Sequence, residues 1–212
     1  MVKYGQIIYW FMKSNIIEYQ LYPNDNFYQR IKNFLRLVIL RKGPASKARI
    51  DSNRWIYKHA KNIKGLVLSV GSGDDSDGMG NRYRDYFESS SNYTTSENDN
   101  SYDVDLILDV RNMNNIMDDS YDSIFCSGVL EHVDDFPQAM NEITRVLKSK
   151  GILLLGLPFN QKPHMEPFDF WRFTRYGIQY MLNSDYHEIY IDEIDLKDSN
   201  YPSSYWTKAI KK

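Results

Sequence analysis

The sequence predicts an α/β domain built on a mostly parallel sheet with helices over both faces, preceded by a basic helical extension. Short apolar runs alternate with helix-periodic stretches over roughly 150 residues, the pattern of βαβ units. The run Leu66-Val67-Leu68-Ser69-Val70 ends in Gly71-Ser72-Gly73, as a buried parallel strand feeding a tight turn does. Charge also reverses along the chain: about 13 Lys/Arg stand against 3 Asp/Glu through Lys64, and about 13 against 25 beyond it. The reading is therefore an extension over residues 1–63 and a folded domain over 64–212.

Bulk composition narrows the class. With 42% hydrophobic and 25% charged residues in a chain of 212, a substantial core is affordable and general disorder is excluded. The single cysteine, Cys126, excludes an internal disulfide framework and a Cys-rich zinc site, and no metal is expected. No run reaches the roughly 20 apolar residues that span a bilayer, and Ile7–Met12 lacks a signal-peptide cleavage site. A soluble, cytoplasmic protein is the expectation.

The elements follow in order. Residues 26–40 place Phe27, Ile31, Phe34, Leu35 and Val38 at helical spacing among Arg30, Lys32 and Arg36, which predicts a basic amphipathic helix ending before Gly43-Pro44. A second helix is predicted from Ser52 or Asn53 to Lys61, then the first strand after Gly65. The Ser-, Asp-, Asn- and Gly-rich stretch 74–100 reads as loop, with a short helix at 82–87 and a strand at 93–97. Strands follow at 106–108 and 123–126, and a helix at 139–148 closed by Lys148, Lys150 and Gly151. The most hydrophobic strand is 152–157, stopped by Pro158. A helix capped by Thr174 runs to Leu182, and strands at 189–194 and 205–210 close the domain.

Chemistry concentrates at predicted strand ends. A nucleotide-like ligand needs close backbone approach after the first strand, and glycines permit it, although paired glycines also serve turns alone. Glu97, at the end of the second strand, is placed to accept both ribose hydroxyls of an adenosine; the plain alternative is a solvated turn carboxylate. Asp109, after Asp105-Leu106-Ile107-Leu108, is placed to accept from an adenine amino group.

The order Val67–Gly73, Glu97, Asp109-Val110-Arg111-Asn112-Met113, Tyr121-Asp122-Ser123-Ile124-Phe125-Cys126 and Val129-Leu130-Glu131-His132-Val133 resembles the type 11 group of class I methyltransferases. Asn141-Glu142-Ile143-Thr144-Arg145-Val146-Leu147-Lys148 before Gly151-Ile152-Leu153-Leu154 continues the resemblance, which covers roughly residues 64–212. It implies a Rossmann-like three-layer sandwich, a seven-stranded sheet with an antiparallel last strand, and S-adenosylmethionine as cofactor. By position, Gly71, Ser72 and Gly73 would pass under the methionine and ribose, and Glu97 would hold the ribose. Asp109 and the Val110 amide would meet adenine, and Ser127 and Gly128 would line the methionine side. Ser69 departs from the pattern by replacing an acidic residue, and Asp75 by standing where a small one is usual.

On the acceptor side, His164 follows the fifth strand, where open α/β sheets keep their sites, and is the candidate base; its alternative is a loop histidine fixing the Pro163–Pro167 turn. Asp169 would orient it, or pair with Arg172 or Arg175. His132 is a second candidate or a helix-start histidine, and Glu131 reads as structural. Phe168, Phe170, Trp171 and Phe173 read as pocket wall and core together. A segment like Pro158-Phe159 … His164 to Thr174 marks a branch often found among glycan and small-molecule biosynthesis enzymes. The function implied is methylation at oxygen of a small molecule or glycan, in polysaccharide or secondary-metabolite biosynthesis. Two rivals are a degenerate cofactor-binding scaffold and an enzyme with a lipid-linked acceptor, the latter through membrane-surface contact by the basic helix. No nucleic acid partner is expected at a pI near 6.1.

Overall fold

Apolar runs that can be buried on both faces belong in the middle of a parallel sheet, and this chain has three of them. They are β1 (Gly65–Val70), β4 (Tyr121–Ser127) and β5 (Leu147–Pro158), which lie side by side and parallel. The computed structural model describes residues 45–195 and 201–212. The predicted helix at 26–40 lies outside the described residues.

Outward from β1 come β2 (Ser90–Glu97) and the two-residue β3 (Leu106–Ile107), both parallel. Beyond β5, β7 (Ser204–Lys211) runs antiparallel and separates β5 from β6 (Tyr186–Ile194). The seven-stranded order is thus β3-β2-β1-β4-β5-β7-β6, with β7 alone reversed. The first β-connection reverses direction between β1 and β4, and the carboxyl ends on either side of that switch form a crevice edge.

Strand alternation divides the buried side chains between two faces. One face sends Leu68, Val70, Ile124, Cys126, Leu153 and Leu155 into α2 (Phe136–Val146) and α3 (Arg175–Leu182), whose Ile143, Val146, Ile178 and Leu182 complete an aliphatic core. Each such side chain, fully buried, contributes roughly 1.5–3 kcal/mol. The other face carries Val67, Ser69, Phe125, Leu154 and Trp206, covered by α1 (Lys47–Ala60) and a 3-10 turn at Tyr83–Tyr86. Aromatic rings fill it: Trp55 lies 5.4 Å from Trp206, Tyr83 5.3 Å and Phe87 5.8 Å from Phe125.

Several predicted bounds shift for physical reasons. The second predicted helix, α1, begins at Lys47, not at Ser52 or Asn53. Asn53 is not a cap but a buried interior residue whose Nδ2 donates to the Asp77 carbonyl at 3.0 Å. α1 lies in the same compact unit as the sheet, with Trp55 Nε1 donating to Asp192 at 2.7 Å. α2 begins at Phe136, where the Asp135 carboxylate accepts the Gln138 amide at 3.1 Å and Pro137 occupies the first turn. It ends at Val146, so Lys148, Lys150 and Gly151 do not close a helix but belong to β5. Lys148 instead reaches Asp122 at 2.8 Å. α3 matches its prediction, Thr174 Oγ1 accepting the Gly177 amide at 3.0 Å.

Among the described residues no helix is long and apolar enough to cross a membrane.

Candidate functional site

The site grows from the turn that leaves β1. Gly71 and Gly73 both have left-handed backbone, with φ of 62° and 54°. Their surroundings differ. A Cβ on Gly71 would lie 2.3 Å from Val129 Cγ2, whereas one on Gly73 would meet nothing within 4 Å. Gly71 therefore serves close packing, and Gly73 keeps a surface open. Ser72 clips the turn to β2: its amide donates to the Ser96 carbonyl at 3.0 Å, and its Oγ accepts the Ser96 amide at 3.1 Å. Glu97, the last residue of β2, accepts the Gly73 amide on Oε1 at 2.6 Å. The carboxylate predicted to hold a ribose thus also shapes the loop beneath it.

The two departures from the family pattern have structural answers. Ser69 is buried in β1, and its carbonyl accepts the Ser96 hydroxyl at 2.8 Å. Asp75 is 4% exposed and accepts from Arg84 Nε at 3.0 Å and the Tyr93 hydroxyl at 3.1 Å. Burial pushes its carboxyl up, opposed by those hydrogen bonds. A negative charge on Asp75 is therefore spent inside the protein, not on the open side of the loop. Behind it, fully buried Asp77 accepts the Met79 and Asn81 amides, Asn81 Nδ2 and the Tyr86 hydroxyl, at 2.6–3.0 Å.

Asp109 follows β3, but its carboxylate is engaged by Arg111, at 2.7 Å from Nη2 and 3.1 Å from Nε. Arg111 holds the Asp109 carboxyl below its ordinary range, and reaches Asp134 at 2.7 Å. Any adenine contact would share this carboxylate. The Val110 side chain is in the aliphatic core. Ser127 ends β4 half-buried, and exposed Gly128 (φ 70°) donates its amide to the Gly156 carbonyl at 3.1 Å. Cys126 is buried beside it, and burial pushes its thiol up.

The acceptor-side residues converge. The His132 and His164 rings stand perpendicular with centroids 4.9 Å apart. His132 Nδ1 lies 2.8 Å from the Phe168 carbonyl, which can only accept, so Nδ1 carries a proton. Asp169 forms a two-pronged pair with Arg172 at 2.6 and 2.7 Å, and its Oδ2 also accepts the His164 backbone amide at 2.8 Å. Arg172 holds the Asp169 carboxyl far below its ordinary range. His164 Nδ1 faces the Lys162 carbonyl at 3.3 Å and Asp169 Oδ2 at 3.5 Å.

Glu131 is the residue the sequence reading underrated. Its carboxylate is 2% exposed, and Oε1 faces His132 Nε2 at 3.9 Å and His164 Nε2 at 4.0 Å. Burial pushes it up to about 7. A Cβ on Gly128 would lie 3.7 Å from Oε1, which sets the cluster beside the end of β4 and, through Val129, beside Gly71. The sequence signal was an acid directly preceding a histidine in a strand-to-helix turn, too common to single out. The four neighbouring aromatics, read from the sequence as pocket wall and core together, divide by burial. Phe173 is buried, whereas Phe168, Phe170 and Trp171 are exposed; the Phe170 and Trp171 amides donate to the Glu131 carbonyl at 2.8 and 3.2 Å.

Comparison with known proteins bears on the fold. A family model described as a methyltransferase domain matches residues 80–155. A search of curated proteins finds no match. Among solved structures, a SAM-dependent methyltransferase from Archaeoglobus fulgidus superposes with a TM-score of 0.58 at 12% identity, over 88% of this chain and all (100%) of that one. One from Thermotoga maritima gives 0.51 at 14% identity, over 88% and 98%. The CurJ carbon methyltransferase gives 0.57 at 13% identity over 77% of this chain, which spans 54% of its length. Identities this low speak for the fold alone.

Proposed function

Taking the chain as a class I S-adenosylmethionine-dependent methyltransferase of the type 11 group, we propose that it transfers a methyl group to a hydroxyl of a small molecule or glycan. The observation that carries this reading is the convergence, along one crevice edge, of an open glycine turn and a paired-imidazole cluster. S-adenosylmethionine, when bound, supplies a methyl group on an already activated sulfonium. The residues present fit it: Gly73 leaves room for close approach, Glu97 stands at the ribose end, and Asp75 is turned into the protein. Ser127 and Gly128 border the methionine side, and Asp109 with Val110 the adenine side.

On the other side, His164 presents Nε2, since its Nδ1 faces acceptors. That nitrogen is the proton acceptor for an acceptor hydroxyl, with Asp169 positioning the ring and His132 flanking it. Exposed Phe168, Phe170 and Trp171 offer ring faces on which a sugar or planar acceptor stacks. The neighbours include a carbon methyltransferase and the N-methyltransferase NodS, so fold does not choose the reacting atom; the imidazole cluster is what favours oxygen here.

Calorimetric titration with S-adenosylhomocysteine tests the cofactor side. Micromolar affinity is expected, and Glu97→Ala should weaken it by about 1.5–3 kcal/mol. Absence of heat at millimolar ligand would favour the scaffold reading. Once an acceptor is identified, His164→Ala should spare cofactor affinity and lower turnover roughly 100- to 10,000-fold.

A further inference from the structure

We propose that Glu131, His132 and His164 form a binding site for one divalent transition-metal ion, with zinc as its reference occupant, at the acceptor end of the crevice. One ligand atom from each residue, a Glu131 carboxylate oxygen and a ring nitrogen of each histidine, lies within 4.8 Å of the others. The separations from Oε1 to the imidazoles, 3.9 and 4.0 Å, exceed hydrogen-bonding length. Among the described residues, Glu131 Oε2 has no hydrogen-bond partner although it is buried. A buried carboxylate oxygen without a partner is costly unless a proton or a cation joins it.

The outer contacts are those of metal-ligating histidines. Each Nδ1 faces an acceptor, Phe168 O at 2.8 Å for His132, and Lys162 O at 3.3 Å with Asp169 Oδ2 at 3.5 Å for His164. That arrangement puts the ring proton on Nδ1 and the lone pair on Nε2, facing Glu131. The frame is braced as well. The Glu131 carbonyl accepts the Phe170 and Trp171 amides, and Asp169 is locked by Arg172 while holding the His164 amide. Metal–ligand bonds of about 2.0–2.2 Å put neighbouring ligand atoms about 3–3.5 Å apart, so closure needs side-chain shifts of about 1 Å or less. Two imidazoles and one carboxylate suit zinc and its first-row neighbours, not magnesium or calcium, which take oxygen donors. Three protein ligands leave coordination positions for water or an acceptor oxygen. No zinc-motif spacing marks this site, because His164 lies 32 positions from His132.

The role of the ion rests on the acceptor-side reading above, with His164 then a ligand in place of a base; its binding does not. The test uses the full chain after dialysis against a chelator, titrated with zinc by calorimetry, with bound metal measured after desalting and cobalt as a spectroscopic probe. One ion per chain is expected, with a visible cobalt band of mixed nitrogen and oxygen ligation. His132→Ala, His164→Ala and the isosteric Glu131→Gln should each weaken zinc binding by at least the roughly 10- to 100-fold that loss of an outer contact costs. His187→Ala should leave it unchanged, and circular dichroism confirms that each variant folds. No retained zinc, or zinc bound equally well by all three site variants, would overturn the site. Titration of the same samples with S-adenosylhomocysteine reports separately on the methyltransferase reading: zinc without it keeps the metal site and sinks that reading.

Discussion

The two faces of the sheet are held by different chemistry. Under α2 and α3 the contacts are aliphatic and helical: Leu68, Ile124, Leu153 and Leu155 meet Ile143, Val146 and Ile178, all fully buried. On the opposite face α1 shares the covering with the β1–β2 connection, which makes only a short 3-10 turn at Tyr83–Tyr86. There Asp75 and Asp77, buried, organise amides and hydroxyls beneath a cluster of rings. Hydrophobic burial is non-directional and forgives small shifts. A polar hub is directional, and one missing acceptor strands several donors at once. The glycine turn springs from the same loop as this hub, so the directional face is the one that shapes the edge proposed to receive the cofactor.

Breaking the hub should therefore give the largest effect. Asp77→Ala removes the acceptor for two amides, Asn81 Nδ2 and the Tyr86 hydroxyl in a site with no exposure. A loss on the order of 4–5 kcal/mol is expected in denaturant titration, together with weaker S-adenosylhomocysteine binding in the protein that remains folded. A loss under about 1 kcal/mol would mean that water replaces the carboxylate and the hub is not directional. On the aliphatic face, Leu155→Ala should cost about 2–5 kcal/mol through the cavity it leaves, with cofactor affinity unchanged in the folded population. A shift in affinity there would show that the two faces are coupled.

The contrast also explains what could be read from sequence. The aliphatic face announces itself: apolar runs at 66–70 and 152–157 and the Ile143, Val146, Leu147 spacing led directly to strands, helix and sheet type. Their bounds were missed where local patterns overlap, as at Leu147, which suits either the last turn of α2 or the first residue of β5. The hub was invisible because Asp75 and Asp77 sit in a polar, glycine-rich stretch that looks solvated until Arg84, Tyr86 and Tyr93 close on it. The site was legible in part. Gly71, Gly73 and Glu97 stand at strand ends in a fixed order, whereas Glu131 gains meaning only when His164 is folded against it from 33 positions away.

A smaller test lies where the aromatic layer presses on the sheet. A Cβ on Gly156 would meet the Trp206 ring at 2.7 Å, across the β5–β7 pair in which these two residues are partners. Gly156→Ala should cost about 1–3 kcal/mol and change tryptophan emission as the ring moves. Unchanged emission with unchanged stability would mean that this layer yields as easily as the aliphatic one.

The smallest stability effect and the sharpest functional one should come from Gly73→Ala, compared with Gly71→Ala. Both glycines have left-handed backbone, so alanine carries a conformational cost of roughly 1 kcal/mol at either position. At Gly71 the added methyl would lie 2.3 Å from Val129 Cγ2, so the protein itself must shift and further stability is lost. At Gly73 no protein atom lies within 4 Å of the new methyl, so thermal stability should fall by the backbone cost alone. The methyl would instead stand on the open side of the turn, next to the amide that donates to Glu97 at 2.6 Å. If that surface receives the cofactor, Gly73→Ala should lose at least tenfold in S-adenosylhomocysteine affinity, about 1.4 kcal/mol, while melting close to the parent. Unchanged affinity would mean that the open surface faces solvent in the complex, and the cofactor would have to be sought nearer Gly128 and Ser127.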